Sequence, residues 1–322
     1  MSRQNAGDPT NANPFRVDTL AVVGVGLIGG SFSLGLKQAG CVGRVLGVGR
    51  KRETLEQAIA LGVIDEIATL EEAASRADLI LLAAPVGAFE PLFARLAPHL
   101  SDKALITDGG STKGNVVAAA SAALGERIDQ FVPAHPIAGS HESGPQAAFA
   151  DLYRDRHVVV CPLPENTAGS VQYVSDAWRA CGARLVTMAV EQHDDVLAAV
   201  SHLPHWLASL YVEHVARDAN ALLNLQIAGA GFGDFSRIAQ GSVEMWRDIF
   251  MANRAAMLHQ LDGLHDLLGQ AREALRAQDE AWLEAVLANA ALVRRDWGRQ
   301  QDQQKLQQQQ QTKHKAIGQD PL

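Results

Sequence analysis

The residues best suited to chemistry lie in two polar segments, each of which follows an apolar run. The segment ALITDGGSTKG places Ser111 in a glycine-rich turn beside Asp108 and Lys113, and FVPAHPIAGSHESG places His135 between two prolines. An imidazole has an ordinary pKa of about 6.5, so His135 would be mostly neutral near pH 7 and able to accept a proton. Taken singly, Ser111 could be a helix cap and His135 an ordinary loop histidine.

A glycine-rich loop near the start of the chain predicts a dinucleotide site. In LAVVGVGLIGGS, three glycines form G-x-G-x-x-G directly after an apolar strand, a pattern that permits a tight turn, close approach of a pyrophosphate and close packing of the following helix. That helix would direct its free N–H groups at the phosphates. A glycine-rich turn without a ligand is the alternative. We expect cofactor contacts from this loop and from the end of LILLAAPV, at Gly24, Gly26, Leu27, Ile28, Gly29, Ala84 and Pro85.

The end of the second strand indicates which dinucleotide binds. Sites for NAD usually place Asp or Glu there, where the carboxylate accepts a hydrogen bond from the ribose 2′-hydroxyl. This chain has Gly49 followed by Arg50, Lys51 and Arg52, and such cations would bind the 2′-phosphate of NADP. The sequence favours NADP and leaves NAD open, since the three residues could also be a solvated basic turn.

The elements that must position these residues are of two kinds. Up to about residue 190, short apolar runs alternate with helix-like stretches, as in parallel sheets covered by helices on both faces. From 195 to 297 the chain is rich in Ala and Leu and keeps helical spacing. We predict an α/β fold with an N-terminal Rossmann-type, doubly wound, mostly parallel sheet (18–190) and a C-terminal all-helical dimerisation domain (191–299). Residues 1–17 are expected to form a flexible arm and 300–322 a disordered Gln-rich tail.

Composition and charge argue against several classes of protein. The formal net charge of −8 implies no broad basic face for a nucleic acid. No apolar run reaches the roughly 18–20 residues of a membrane span, and the polar N-terminus lacks the core of an export signal. Cys41, Cys161 and Cys181 are odd in number and lack metal-ligand spacing. We expect a cytoplasmic protein with no metal site and no nucleic-acid or membrane partner.

Five segments, in order and spacing, resemble the prephenate/arogenate dehydrogenase (cyclohexadienyl dehydrogenase) family. They are VGVGLIGGS at 23–31, TDGGSTKG at 107–114, AHPIAGSHESG at 134–144, SHLPH at 201–205 and GFGDFSRIAQGSVEMWRDIF at 231–250. The resemblance implies oxidative decarboxylation of prephenate, of arogenate or of both in tyrosine biosynthesis, with hydride transfer from ring C4 to nicotinamide and loss of CO2. It also implies that His135 takes up the proton of the ring 4-hydroxyl, and that Ser111 holds this hydroxyl and orients the histidine.

Further residues are expected to bind the substrate, which carries two carboxylates. Arg237 suits a bidentate carboxylate contact, and Ser201 looks like the N-cap of a helix whose free N–H groups would favour an anion. By the resemblance, His205 and Trp246 contact or approach the substrate, and Ser140 lies in the loop after His135. The alternatives are a surface ion pair for Arg237 and a core or interface position for Trp246. A metal site at His202 and His205 lacks an evident third ligand.

The resemblance leaves the ring substrate open. Some relatives that accept prephenate carry an acidic residue next after the position of Ser140, where this chain has His141 followed by Glu142. The resemblance also implies a homodimer built mainly on the helical domain, and tyrosine could inhibit because it resembles the arogenate product.

Two other function classes fit the same architecture. A β-hydroxyacid dehydrogenase or an imine reductase would be expected to place a catalytic lysine or other base on the helical domain, whereas the informative Ser and His lie on the sheet domain here. The non-enzyme alternative is an NADP(H)-sensing protein whose helical half mediates association. Such a sensor would show no turnover of prephenate with NADP.

Overall fold

The computed structural model describes residues 15–139, 142 and 144–317. Its strands are β1 (Val17–Val23), β2 (Val42–Val48), β3 (Glu66–Ile67), β4 (Leu79–Leu82), β5 (Leu105–Asp108), β6 (Ala134–Pro136), β7 (His157–Val160) and β8 (Arg184–Thr187). Its helices are α1 (Leu27–Gln38), α2 (Arg52–Ala60), α3 (Leu70–Arg76), α4 (Phe89–Leu96), α5 (Gly114–Leu124), α6 (Ala168–Ala180), α7 (Val190–Leu197), α8 (Leu203–Ala216), α9 (Ala221–Gln226), α10 (Ala230–Ser236), α11 (Val243–Ala252), α12 (Arg254–Ala277) and α13 (Glu280–Ile317). The chain divides after Gln260 into two compact units, and every candidate site residue belongs to the first.

The first sheet is parallel and has the strand order β3-β2-β1-β4-β5. The chain moves outward from β1 to β3 and then returns to the other side of β1, so the carboxyl ends of β1 and β4 adjoin at the point where ligands bind such sheets. Side chains from both faces are buried, for example Phe32 with Trp178 on one side and Phe93 with Phe131 on the other. The predicted Rossmann-type fold is confirmed.

A second sheet of three strands, β6-β7-β8, continues from the first. The N–H of Val132 donates to the carbonyl of Ile106 on β5 at 2.9 Å, which brings β6 beside the end of β5. Within the predicted mostly parallel arrangement, β6 and β7 are an exception, because the two pair antiparallel. The reason is the connection between them, in which the described residues contain no α-helix to return the chain to the same end.

From Val190 onward the described elements are all helical, which confirms the helical C-terminal part. Helix α11 packs on the sheet domain, since Ile249 is buried in the same core as β4 and β5. Helix α13 continues to Ile317, into the segment expected to be disordered from residue 300. Gln and Lys are good helix formers, and no Gly or Pro occurs from 299 to 317. In the part of the chain described, no helix combines the length and apolarity needed to cross a membrane.

Candidate active site

The glycine loop joins β1 to α1 as the sequence predicts. Gly24 has a φ of +98°, and a Cβ there would lie 2.3 Å from the carbonyl oxygen of Ala83, so a side chain at this position would be both strained and blocked. A Cβ at Gly29 would lie 2.3 Å from the carbonyl oxygen of Gly24, because α1 packs directly on the loop. A Cβ at Gly26 would meet no atom within 4 Å. The loop is therefore tight on its inner side and open above Gly26.

This open space fits the pyrophosphate of a dinucleotide. Gly26 precedes the first residue of α1, and no side chain caps the helix, so its first N–H groups are available to phosphate oxygens. The side chain of Leu27 is buried in the core, which leaves only its backbone for a cofactor contact. Ala84 and Pro85 follow β4 beside the Gly24 turn, where sequence analysis expects them.

The three basic residues lie at the carboxyl end of β2, at the start of α2. All three are exposed. Arg52 pairs with Glu56 at 2.8 Å, one helical turn later, so Arg50 and Lys51 are the cations better placed to meet a ligand. No residue with a carboxylate side chain stands at positions 49–52, between the last residue of β2 and the first of α2.

The turn with Ser111 is joined to the strand with His135 by one buried carboxylate. Asp108, the last residue of β5, accepts the N–H of Gly110 and the N–H of Ala134, both at 2.9 Å. The oxygen that accepts Gly110, Oδ2, also accepts a hydrogen bond from the ammonium of Lys113. Both side chains of this ion pair are fully buried. Asp108 therefore holds the Ser111 turn against β6.

The same turn reaches the glycine loop. A Cβ at Gly109 would lie 3.0 Å from Cγ2 of Ile28 and 3.7 Å from Cδ of Pro136, the residue after His135. Segments that are distant in sequence therefore meet at the carboxyl edge of the sheet, where the sequence analysis expected the ligand. Among the described residues the Ser111 hydroxyl has no hydrogen-bond partner.

His135 is buried and is held by a second histidine that the sequence analysis did not identify. Its Nδ1 lies 2.8 Å from Nε2 of His193, on α7. Burial, and then the positive charge that His193, Lys113 and His202 can carry, hold the pKa of His135 well below its usual value. His135 is therefore neutral near pH 7, with Nε2 left for a ligand.

Asp194 completes this arrangement from the next position on α7. Its carboxylate accepts Nδ1 of His193 at 2.8 Å and the backbone N–H groups of Lys113 and Gly114, also at 2.8 Å. Burial raises the pKa of Asp194, but the hydrogen bonds from His193, Gly114 and Lys113 outweigh it, so the pKa lies below its ordinary value. In the sequence, His193 and Asp194 are only a His-Asp pair early in the helical segment, without a motif to mark them.

The helical side contributes an aromatic platform. His205 stacks on Trp246 with ring centroids 3.6 Å apart and an interplanar angle of 14°. Gly241 leaves room for this stack, because a Cβ there would lie 2.5 Å from Nε1 of Trp246. Trp246 packs on the sheet core one helical turn before Ile249. His202 is buried beside Asn253, with its Nδ1 3.1 Å from the amide, so it belongs to the core.

Three other predicted substrate residues have different outcomes. The N-cap role of Ser201 is wrong: Ser201 lies inside the π-helical turn Ala198–His202, which joins α7 to α8, so no helix begins there and no free N–H groups await an anion. Arg237 is exposed at the end of α10 and forms no ion pair within the described residues. Ser140 lies outside the described residues. Within these, no cluster of three metal-ligating side chains occurs.

Comparison with known proteins gives consistent matches over both parts of the chain. The family model of the prephenate dehydrogenase nucleotide-binding domain matches residues 32–187, and that of the prephenate dehydrogenase dimerization domain matches 189–289. A cyclohexadienyl dehydrogenase of Zymomonas mobilis is 34% identical over 268 residues, which are 82% of this chain and 90% of that protein.

Two crystal structures have the same fold over most of their length. Prephenate dehydrogenase from A. aeolicus, in complex with hydroxyphenyl propionate and NAD+, is 32% identical with a TM-score of 0.82, over 88% of this chain and 99% of that one. Arogenate dehydrogenase from Synechocystis is 26% identical with a TM-score of 0.76, over 87% of this chain and 99% of that one.

Proposed function

The chain belongs to the prephenate dehydrogenase family, and from this premise we propose which of its residues carry out the reaction. It is an oxidoreductase that catalyses the oxidative decarboxylation of prephenate or arogenate in tyrosine biosynthesis, with NAD(P). This assignment replaces the β-hydroxyacid dehydrogenase, the imine reductase and the NADP(H) sensor as explanations of the sequence.

The observation that carries the proposal is the neutral, buried imidazole of His135 at the carboxyl edge of the sheet. One of its ring nitrogens is paired with His193, and the other can accept the proton of the substrate's ring 4-hydroxyl. Taking that proton lets C4 become a carbonyl carbon as its hydride leaves. Loss of CO2 from the ring then gives an aromatic phenolate, which takes the proton back from His135 to become the phenol. The Ser111 hydroxyl, on the neighbouring turn, would hold the same 4-hydroxyl for proton transfer.

The nicotinamide cofactor, when bound, supplies the acceptor for the hydride that leaves ring C4. The N–H groups at the start of α1 and the open face of Gly26 would hold its pyrophosphate. Arg50 and Lys51 support NADP over NAD, because both are exposed at the end of β2 and positions 49–52 carry no carboxylate.

Residues of the helical part would bind the carboxylates of the substrate. The His205–Trp246 stack offers a flat surface for the ring and an imidazole for a carboxylate. Arg237 is proposed as the bidentate partner of the other carboxylate, a role supported by its exposed guanidinium, which has no ion-pair partner among the described residues.

We also propose that the protein is a homodimer. The match to a dimerization domain supports this proposal, as do large exposed apolar side chains in the helical part, such as Leu222 at 88% and Val243 at 84% exposure. Light scattering should give twice the chain mass at micromolar concentration.

Tyrosine is proposed as a competitive inhibitor. The cytoplasm is proposed as the location, where the three free cysteines would stay reduced.

The test of the proposed function is a matrix of prephenate and arogenate against NAD and NADP, followed by the absorbance of the reduced cofactor. We expect turnover of at least one ring substrate, with higher kcat/KM for NADP than for NAD. The variant Asp195→Asn, an exposed position next to Asp194, serves as a control that should match the wild type. No turnover in any of the four combinations would contradict the proposal.

A further inference from the structure

We propose that His193 and Asp194 are positioning residues that keep the proton of His135 on Nδ1 and so leave Nε2 of His135 unprotonated to act as the base. This inference rests on the proposed function and adds to it a pair of residues on α7. Neither residue needs to touch the substrate, because they act through His135.

The hydrogen bonds between Asp194 and His193 and between His193 and His135 form what we call the relay. It starts from a carboxylate, a group that can only accept. Asp194 is ionised near neutral pH, since its pKa is held low by three donors. Its Oδ1 lies 2.8 Å from Nδ1 of His193, so that nitrogen must carry a proton. The relay operates with His193 neutral, since an imidazolium would donate from both ring nitrogens; the proton on Nδ1 then leaves a lone pair on Nε2.

The second hydrogen bond of the relay fixes the tautomer of His135. Nε2 of His193 lies 2.8 Å from Nδ1 of His135, and a lone pair on the first nitrogen requires a proton on the second. The neutral ring of His135 then has its lone pair on Nε2. The opposite tautomer of His135 would set two lone pairs against each other in a buried place, where an unmade hydrogen bond is costly.

The relay is held rigidly at its far end. The carboxylate of Asp194 accepts the backbone N–H groups of Lys113 and Gly114, at the start of α5, and its backbone carbonyl accepts the amide of Asn253 at 2.7 Å. Both histidines are buried, His193 completely. The orientation of His193 is therefore fixed before any substrate binds, which is what preorganisation of a base requires.

Two substitutions at position 193 separate positioning from packing. His193→Leu removes the acceptor for Nδ1 of His135, whereas His193→Gln offers an amide oxygen in a similar place. We expect kcat to fall on the order of 10²-fold in His193→Leu and by less than about tenfold in His193→Gln, with KM for the ring substrate changed less than threefold in both. Equal losses in the two variants, or no loss in His193→Leu, would overturn the proposal.

Asp194→Ala tests the other end of the relay. Without the carboxylate, Nδ1 of His193 loses its acceptor, so its proton is no longer fixed there and neither ring nitrogen of His135 is set as the base. We expect a fall in kcat comparable to that of His193→Leu, and none in the matched control Asp195→Ala, at an exposed position. A wild-type kcat in Asp194→Ala would count against the proposal.

A spectroscopic measurement on the wild-type protein does not depend on the activity of any variant. In wild-type protein labelled with 15N-histidine, long-range 1H–15N spectra report which ring nitrogen carries the proton, and the His135 signals are assigned by their absence in His135→Asn. We expect Nδ1–H for His135 near pH 7.5, and a proton on Nε2 would overturn the proposal. A wild-type protein with this tautomer but no turnover would contradict the proposed function alone.

Discussion

Removal of the ammonium of Lys113 should strongly destabilise the sheet domain. Lys113 and Asp108 form an ion pair in which both side chains are 0% exposed, and breaking a buried pair by deleting one partner costs about 3–5 kcal/mol. Asp108 would keep the N–H groups of Gly110 and Ala134, so we expect the lower end for Lys113→Met, about 3 kcal/mol. That is a large part of the roughly 5–15 kcal/mol by which domains are stable.

The assay is urea unfolding followed by tryptophan fluorescence, since Trp178 is buried in the core of the sheet domain. With an m-value of about 3 kcal/mol per molar urea, the upper end of the usual range, the midpoint should fall by about 1 M. All proteins are compared at one concentration, because association shifts the midpoint. Lys103→Met, at an exposed position, is the matched control.

A double variant separates the unpaired charge from lost packing. If the cost of Lys113→Met comes from the stranded carboxylate, then adding Asp108→Asn should recover part of the stability. A midpoint for Lys113→Met within about 0.3 M of the wild type, or a double variant less stable than Lys113→Met, would refute this reasoning.

Three further predictions follow from the site. Arg50→Asp should lower the ratio of kcat/KM for NADP to that for NAD at least tenfold, while Arg44→Asp, exposed near the other end of β2, should leave it unchanged. His135→Asn should lower kcat by about 10²–10⁴-fold with little change in KM, and a retained kcat with raised KM would make His135 a binding residue only. Burial lowers the pKa of His202 to about 4. Between about pH 6.5 and pH 4, His202 is therefore protonated in the unfolded chain but neutral in the folded protein. The unfolding free energy should therefore fall by about 3 kcal/mol from pH 7 to pH 4 through this group, and urea titrations of His202→Gln should lack that share of the slope.

Local sequence was sufficient for the parts of the site that backbone geometry governs. The glycine loop was predictable because a positive φ at Gly24 and the close approach of Ala83 exclude other residues there. That the Ser111 turn lies against the strand of His135 was predictable because an apolar run leads into each of them, and the ends of such runs meet at one edge of a sheet.

The role of Ser201 and the direction of β6 both depended on chain segments outside their own residues. Ser201 has the residue type of an N-cap, but α7 begins eleven positions earlier and passes through the π-helical turn that contains Ser201 into α8 without a break. The direction of β6 depended on the connection that follows it rather than on its own residues.

The amino-acid sequence alone was enough to predict a dinucleotide loop, a basic strand end, and a serine and a histidine at one sheet edge. Each of these features depends on short-range spacing and on where strands end. Only the tertiary structure brought His193 and Asp194, 58 residues or more beyond His135, onto its ring, and stacked His205 on Trp246. Which ring nitrogen carries a proton depends on a partner supplied by another element, and no pattern within a single segment records that partner.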